Sequence, residues 1–205
     1  MSKLPVITIS RQYKSGGRMI ARMLAEALGV PYYDNELITM AAKKSGYSPD
    51  LFENADQNAT NSLLFTLSMY GSAGAYESSN IPIGDKIYLI QSEIIKSVAE
   101  KGPSVIVGRC ANYILRDHEN HLSVFLRAPM PWRVNRAVSL YNLPKESAES
   151  TLRKTDKKRA VYYAHFSGDK WGDPTLYDMS VDVSCLGPEK TAELLEKMAR
   201  LKADL

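Results

Sequence analysis

The stretch from Val6 to Leu28 constrains this chain more than any other part of its 205 residues. It begins with the apolar, β-branched run VITI, turns polar, reaches Gly16 and Gly17, and continues in the helical pattern MIARMLAEAL. A strand, a glycine turn and a helix in this order form a common cradle for phosphate, because free backbone N–H groups and the helix dipole both face the bound anion. The start of the chain therefore predicts a phosphate loop, and a turn that joins strand to helix without a ligand is an equal alternative.

The match to the regular phosphate-loop pattern, G-x-x-x-x-G-K-[ST], is incomplete. With Gly16 in the second glycine position, Arg11 stands where the first glycine should be. Gly17 then replaces the lysine, and Arg18 replaces the hydroxyl residue that holds Mg²⁺. The motif alone is therefore a weak indication of phosphate binding.

The rest of the chain alternates strands with helices, which predicts one sheet of five parallel strands with helices on both faces, a three-layer α/β/α fold. Parallel strands end at one edge of such a sheet, so the polar residues that follow them should gather there. After the first strand and helix, the predicted strands are 30–34, 104–108, 122–126 and 178–183, and the predicted helices are 35–44 (capped by Asn35), 82–101, 111–115, 130–141, a long one from 145, and 188–202.

Two segments interrupt this alternation within what we predict to be a single domain, 1–205. Residues 46–80 mix polar and apolar stretches, and we interpret them as a helical insertion on the substrate side, either a mobile cover or a packed subdomain. Residues 150–175 contain the run RKTDKKR, in which five of seven residues are cationic, followed by the turn GDKWGDP. That composition is typical of a hinged basic lid over phosphates, and a solvated helix face is the simpler alternative.

The charge and the apolar content of the chain limit the classes of partner that it is expected to bind. A net charge of +3 is too mild to indicate nucleic acid, and no apolar run is long enough to cross a membrane. The two cysteines show no disulfide or zinc spacing, and His118 and His121 lie in a polar stretch where we expect them to be solvated. Without a signal peptide, the chain is predicted to be cytoplasmic, with small-molecule partners and no resident metal. A homodimer contact through the apolar part of 46–80 stays open.

Several motifs together resemble the cytidylate kinase-like family, P-loop relatives of bacterial cytidylate kinase, over nearly the whole chain. The resemblance implies a P-loop nucleotide-kinase-like fold and transfer of the γ-phosphoryl group of ATP, with Mg²⁺, to CMP or dCMP. The motifs are ITISRQYKSGGR at 7–18, PYYD at 31–34, VIVGRCANYIL at 105–115, DKKRAVYY at 156–163 and KWGDP at 170–174.

The resemblance also implies roles for single residues. The acceptor would meet Asp34, Gly108 and Arg109, and Arg153 lies near a further lid arginine of the family. The transferring phosphate would meet Asp156 and Arg159, where arginine suits the task because its planar group binds phosphate oxygens bidentately and stays protonated. The residues implied to bind the donor nucleotide are Ser10, Arg11, Ser15, Gly16, Gly17 and Arg18.

The chain departs from cytidylate kinase at several of these positions. Gly17 stands in place of the lysine, and Lys14 or Arg18 is the candidate substitute cation, unless Lys14 simply points to solvent. Val107 and Cys110 flank the glycine–arginine pair where cytidylate kinase has acids. Loss of a group that stabilises transition-state charge costs on the order of 10²–10³ in rate. Two functions therefore remain: a kinase for a nucleoside monophosphate or another small phosphate acceptor, and a nucleotide- or phosphate-binding protein without turnover.

Overall fold

The computed structural model describes residues 4–46 and 82–204. A short 3₁₀ turn, Pro174–Leu176, precedes the last of the strands described below. In chain order the elements are β1 (Val6–Arg11), α1 (Gly17–Leu28), β2 (Tyr32–Tyr33), α2 (Asn35–Ser45), α3 (Ile83–Glu100), β3 (Ser104–Val107), α4 (Ala111–Ile114), β4 (His121–Arg127), α5 (Met130–Tyr141), α6 (Lys145–Ser167), β5 (Met179–Asp182) and α7 (Val183–Ala203).

The predicted parallel sheet is confirmed, with the strand order β2-β3-β1-β4-β5. Strand β1 is central, and its Ile7 lies opposite Val105 of β3 on one side and Leu122 of β4 on the other. From β1 the chain passes to the edge strand β2, returns to β3 beside β1, and then crosses to β4 and β5 on the other side of β1. The loop after β1 therefore starts where the strand order diverges, which is where open α/β sheets bind ligands.

Helices cover both faces of this sheet, so the three-layer fold is confirmed. Because side chains alternate along a strand, Ile7 and Ile9 pack with α1 and α7 on one face, and Val6 packs with α2 and α3 on the other. The second face also buries Tyr162 and Tyr163 of α6. Both cores lie directly beneath the strand ends that carry the candidate site residues.

The last helix begins earlier than the sequence predicts. The Asp182 carboxylate accepts the N–H of Ser184, so it caps a first turn at Val183 rather than at Pro188. Gly187 then leaves the helical region (φ 79°, ψ 164°) before Pro188 restarts the helix. The sequence signals at Gly187 and Pro188 mark this interruption and not the helix start.

The basic segment 150–175 is packed onto the core along much of its length. Leu152 is buried in α6, and Phe166 stacks on Tyr88 of α3 with ring centroids 3.9 Å apart. Beyond the helix, Trp171 meets Phe125 of β4 edge to face at 5.3 Å. An opening motion of this segment as a hinged lid stays a prediction.

Two further sequence predictions concern segments rather than single residues. The insertion at 46–80 and its homodimer contact lie outside the described residues, except for Gly46, which ends α2 in the left-handed region (φ 72°). Among the helices described, none has the length and the apolar composition that crossing a membrane requires.

The expectation that the loop histidines are solvated is wrong for His121. The ring of His121 is largely buried at the amino end of β4, where Nε2 lies 2.7 Å from Oγ1 of the fully buried Thr8. His118, beside it, is only half-exposed, and its Nδ1 atom is buried. His121 is the first residue of β4 and pairs with Val6 of β1, a placement that its polar neighbours in the sequence did not indicate.

We expect acid to destabilise the fold through His121. Burial lowers the pKa of His121 to about 4, whereas an unperturbed histidine titrates near 6.5, so the unfolded chain takes up the proton first. The free energy of unfolding should therefore fall as pH decreases from about 6.5 to about 4, by up to about 3 kcal/mol from this group. His121→Gln should remove this contribution. Urea unfolding of both proteins across that range measures it, since carboxylates titrate equally in both, and parallel curves would contradict it.

Candidate active site

The loop between β1 and α1 closes on itself and on β4. The Ser15 hydroxyl is buried and donates to the carbonyl of Gln12 (2.9 Å), while Gln12 accepts the N–H of Ala128 (3.0 Å) through its side chain. Gly16 at the N-cap of α1 is left-handed (φ 92°) and has no side chain, so no side chain caps the first N–H groups of the helix. The loop and the start of α1 line a cavity of 150 Å³, the loop cavity. Its geometry suits an anion held by backbone N–H groups.

A buried ion pair holds this loop in place. The Asp156 carboxylate of α6 accepts the Tyr13 N–H at 2.7 Å and pairs with Arg133 of α5 at 2.5 Å. The Arg133 side chain is only 4% exposed, and it also donates to the carbonyls of Tyr13 (3.1 Å) and Ala128 (3.0 Å). Asp156, predicted to close over the transferring phosphate, thus contacts the loop backbone. Arg133 was not predicted as a site residue from the sequence, where its only signal is its place on the helix after β4.

Arg159 lies one turn after Asp156 and faces the same way, since residues three apart share a helix face. Its Nη1 donates to the carbonyl of Arg11 (2.9 Å), and its guanidinium lies 5.4 Å from the centroid of the Tyr13 ring. It lines the loop cavity and also a smaller cavity shared with Ser10 and Arg109, which we call the arginine cavity. Arg159 therefore joins the two spaces.

The turn after β3 is strained and aims Arg109 at the arginine cavity. Gly108, Arg109 and Cys110 all have left-handed φ values, of 76°, 58° and 55°. A left-handed residue with a Cβ costs roughly 1–2 kcal/mol relative to a right-handed one. Strain of this kind concentrates at functional sites. Beneath the turn, the Ser10 hydroxyl donates to Asn112 (3.3 Å), so the floor of the cavity is hydrogen-bonded.

Asp34 occupies the N-cap position of α2, but it does not cap the helix. Its buried carboxylate instead pairs with Arg18 at 2.6 Å and approaches Arg11 at 4.0 Å. Burial and this carboxylate raise the pKa of Tyr32 to about 12, so the Tyr32 hydroxyl stays protonated and donates to Asp34 (3.4 Å). Asn35, predicted as the cap, is the first helical residue. Because Asp34 turns toward these arginines and does not cap α2, its contacts favour a role in the site.

Beside Asp34 lies an outer cavity of 460 Å³, within the size range of small-molecule sites. It is lined by Arg18, Arg22, Tyr32, Asp34 and Tyr141, among others. Arg18 and Tyr141 line the loop cavity as well, so the outer cavity continues from it.

Lys14 lies over the ring of Tyr141, with Nζ 3.3 Å from the centroid. Burial lowers the pKa of Lys14, and the nearby charges of Arg18, Arg136 and Arg159 lower it further. Positive charge thus accumulates around the loop without an equal number of acids. Arg136 was not predicted from the sequence, and its buried Nε atom has no hydrogen-bond partner among the described residues.

Arg153 differs from the other predicted residues. Its exposed side chain pairs with Glu149 one turn earlier in α6 (2.7 Å), and it lines none of the three cavities described above. The remaining predicted residues converge on the carboxyl edge of the sheet, and they are Ser10, Arg11, Lys14, Ser15, Gly16, Gly17, Arg18, Asp34, Gly108, Arg109, Asp156 and Arg159.

The arrangement is better suited to phosphate than to a resident metal. Within residues 4–46 and 82–204, no group of three or more His, Cys, Asp or Glu side chains is placed to hold an ion. Arginines from three separate elements and one free helix N-terminus instead face the linked cavities. Such a constellation can bind a polyphosphate and stabilise charge on a phosphoryl group in transfer.

Comparison with known proteins identifies relatives of this chain. A family model described as the cytidylate kinase-like family matches residues 6–185. A curated cytidylate kinase from Methanopyrus kandleri is 24% identical over 200 residues, covering 93% of this chain and 91% of that protein.

Solved structures share the fold. An uncharacterized protein from Eubacterium ventriosum ATCC 27560 superimposes with a TM-score of 0.69 at 25% identity, covering 95% of this chain and 98% of that one. Shikimate kinase from Bacteroides thetaiotaomicron gives a TM-score of 0.56 at 14% identity, covering 95% and 98% of the two chains. The likeness to the shikimate kinase concerns architecture alone.

Substitutions at Arg109 should separate strain from function. Both Arg109→Gly and Arg109→Ala remove the guanidinium, so both should weaken phosphate binding. Only glycine adopts the left-handed φ without a penalty, so Arg109→Gly should be more stable than Arg109→Ala by about 1 kcal/mol. Urea unfolding compares the two variants, and equal stability would show that the turn relaxes.

Loss of the Asp156 carboxylate should loosen the loop. Asp156→Ala leaves the buried Arg133 without its partner and the Tyr13 N–H without an acceptor, so it should lower the free energy of unfolding by about 3 kcal/mol. Asp117→Ala removes an exposed carboxylate paired with Arg116 and serves as the control, with a change below about 0.5 kcal/mol. Equal effects of the two substitutions would contradict the role of the Asp156–Arg133 ion pair in holding the loop.

Proposed function

This chain belongs to the cytidylate kinase-like family, and on that premise we propose that it is a nucleotide kinase. Its donor would be ATP with Mg²⁺, and its acceptor a nucleoside monophosphate such as CMP or dCMP, or another small phosphate acceptor. One observation carries the proposal: Arg11 of β1 and Arg159 of α6 line both the loop cavity and the arginine cavity, and these are joined by Arg18 of α1 in the first and by Arg109 after β3 in the second. Family membership supports a nucleotide kinase in general, whereas the identity of the acceptor is our proposal.

The donor would bind along the loop. We infer that its β- and γ-phosphates lie in the loop cavity against the start of α1, where backbone N–H groups and the helix dipole favour negative charge. Mg²⁺ would arrive with the nucleotide as part of the co-substrate. Mg²⁺ keeps several waters and needs only one or two protein carboxylates. The Asp156 carboxylate is engaged by the Tyr13 N–H and Arg133, and the Asp34 carboxylate by Arg18 and Arg11, which fits a metal held chiefly by phosphates and water.

The acceptor would lie on the other side of the transferring group. Arg109 and Arg159 share the arginine cavity and would bind the acceptor phosphate. Asp34 and Tyr32 in the outer cavity would bind hydroxyl or amino groups of the nucleoside. Phosphoryl transfer needs positioning and neutralisation of charge on the equatorial oxygens more than covalent chemistry, and these are what fixed arginines provide.

The second candidate is nucleotide binding without turnover. Gly17 replaces the loop lysine, and the residues beside Gly108 and Arg109 are Val107 and Cys110 rather than acids. These differences remove groups that ordinary kinases of this type use. Under either proposal the partners are small nucleotides in the cytoplasm, not nucleic acid or a membrane.

A phosphoryl-transfer screen tests the proposal. Purified protein with ATP and Mg²⁺ is incubated with a panel of nucleoside monophosphates, and formation of ADP and of nucleoside diphosphate is measured. We expect turnover with CMP or dCMP, and a loss of about 10²–10³ in kcat/KM for Arg159→Met, since that change removes charge at the transferring group.

The control is Lys154→Met, which removes an exposed cation from the same helix and should change kcat/KM less than about twofold. If ATP raises the melting temperature but no acceptor yields a product, the result favours a nucleotide-binding protein without turnover. If the protein shows no nucleotide binding and no turnover, both proposals are overturned.

A further inference from the structure

The phosphate loop of this chain exchanges two residues with the regular pattern. The regular motif has glycine at its first position and lysine at its seventh. Here the first position is Arg11 and the seventh is Gly17. The cation and the glycine have changed places.

The structure gives this exchange a steric reason. The side chain of Arg11 lies across the start of α1, where a Cβ atom at Gly17 would lie 2.7 Å from both Cβ and Cγ of Arg11. Real Cβ atoms essentially never approach so closely, and the Arg11 atoms concerned are those nearest its own backbone, which cannot swing away. Any side chain at position 17 is therefore incompatible with the observed path of Arg11.

The far end of the same side chain occupies the space above a second glycine. A Cβ at Gly108 would collide with the guanidinium of Arg11. The guanidinium thus lies between the loop and the end of β3, 4.0 Å from Asp34. Arg11 lines both the loop cavity and the arginine cavity, and its side chain is only 14% exposed. Two glycines make room for one arginine at the centre of the site.

The other candidate cations, Lys14 and Arg18, also line the loop cavity, but each is engaged by another side chain. Lys14 lies on the ring of Tyr141, and Arg18 pairs with Asp34 at 2.6 Å and reaches Asn35 at 3.3 Å. The side chain of Arg18 is 61% exposed, on the side of the outer cavity. Neither passes between the loop and β3 as Arg11 does.

We propose that Arg11 is the phosphate-binding cation of this loop, supplying from the end of β1 the charge that a regular loop supplies from its lysine. This rests on the proposed function only in requiring that the loop binds a polyphosphate. Arg11 contacts phosphate oxygens of the bound nucleotide, and its planar group can bridge two of them where a lysine offers a single point charge. Gly17 is required because Cβ and Cγ of Arg11 fill the space above it, and Gly108 leaves room for the guanidinium.

The test compares variants by affinity and by turnover. Arg11→Met keeps a stem that packs on Gly17 but removes the charge, and Arg11→Lys keeps a charge. Arg11→Gly with Gly17→Lys restores the regular pattern, and Gly17→Lys alone forces the collision. Arg116→Met, an exposed arginine paired with Asp117, is the control. Calorimetric Kd values are measured for ATP·Mg²⁺ and for inorganic tripolyphosphate, with the melting temperature of each variant as a folding check.

We expect Arg11→Met to weaken both ligands at least about tenfold with a melting temperature close to that of the wild type, and Arg116→Met to change neither. The double exchange should regain most of the loss, and Gly17→Lys alone should not. Equal loss for tripolyphosphate and ATP assigns the contact to phosphate rather than to the base.

Unchanged affinity in Arg11→Met would overturn the assignment even if the double exchange failed to fold. If the wild type binds but transfers nothing, the kinase proposal fails and the affinities still decide the role of Arg11. If the wild type binds neither ligand, both proposals fall.

Discussion

The carboxylate of Asp156 is the contact on which the geometry of the site depends. It joins α6 to the Tyr13 N–H of the phosphate loop and to the buried Arg133 of α5, so three separate parts of the chain meet on two oxygen atoms. Arg159 is placed one turn later by the same helix and reaches the carbonyl of Arg11. The loop is therefore held from outside as well as by its own backbone, as preorganised binding of an anion requires.

Positive charge and backbone strain are both concentrated at the carboxyl edge of the sheet. Arg109 and Cys110 keep left-handed backbones, and burial together with the nearby arginines lowers the pKa of Lys14. Neither arrangement favours the fold alone, since each raises the free energy of the protein without a bound anion. A polyphosphate would relieve the repulsion, so ligand binding and local stability should be coupled at this edge.

The sequence predicts the architecture because the signals for strands and helices are local. Apolar runs such as SVIV at 104–107 and the stops at Gly29 and Gly102 need no knowledge of the partner strand. The contacts that build the site are not local: Tyr13 and Asp156 are 143 residues apart. The burial of His121 and the engagement of Asp34 with Arg18 instead of α2 likewise depend on tertiary packing that no short window contains. Arg133 and Arg153 look alike in the sequence, yet one is buried and the other exposed.

The contacts of Asp156 with Arg133 and Tyr13 also limit how the basic segment 150–175 can move. If α6 swung away as a rigid lid, the Asp156–Arg133 pair would separate, and Tyr162 and Tyr163 would leave the core. Breaking a buried ion pair alone costs about 3–5 kcal/mol, and burial of two aromatic side chains adds to that. A ligand would have to bind the open state far more tightly to repay it. Beyond Ser167 the chain turns at Gly168 and is held by contacts of Trp171 and of the buried Tyr177 with Phe125. In this fold α6 therefore forms a wall of the site.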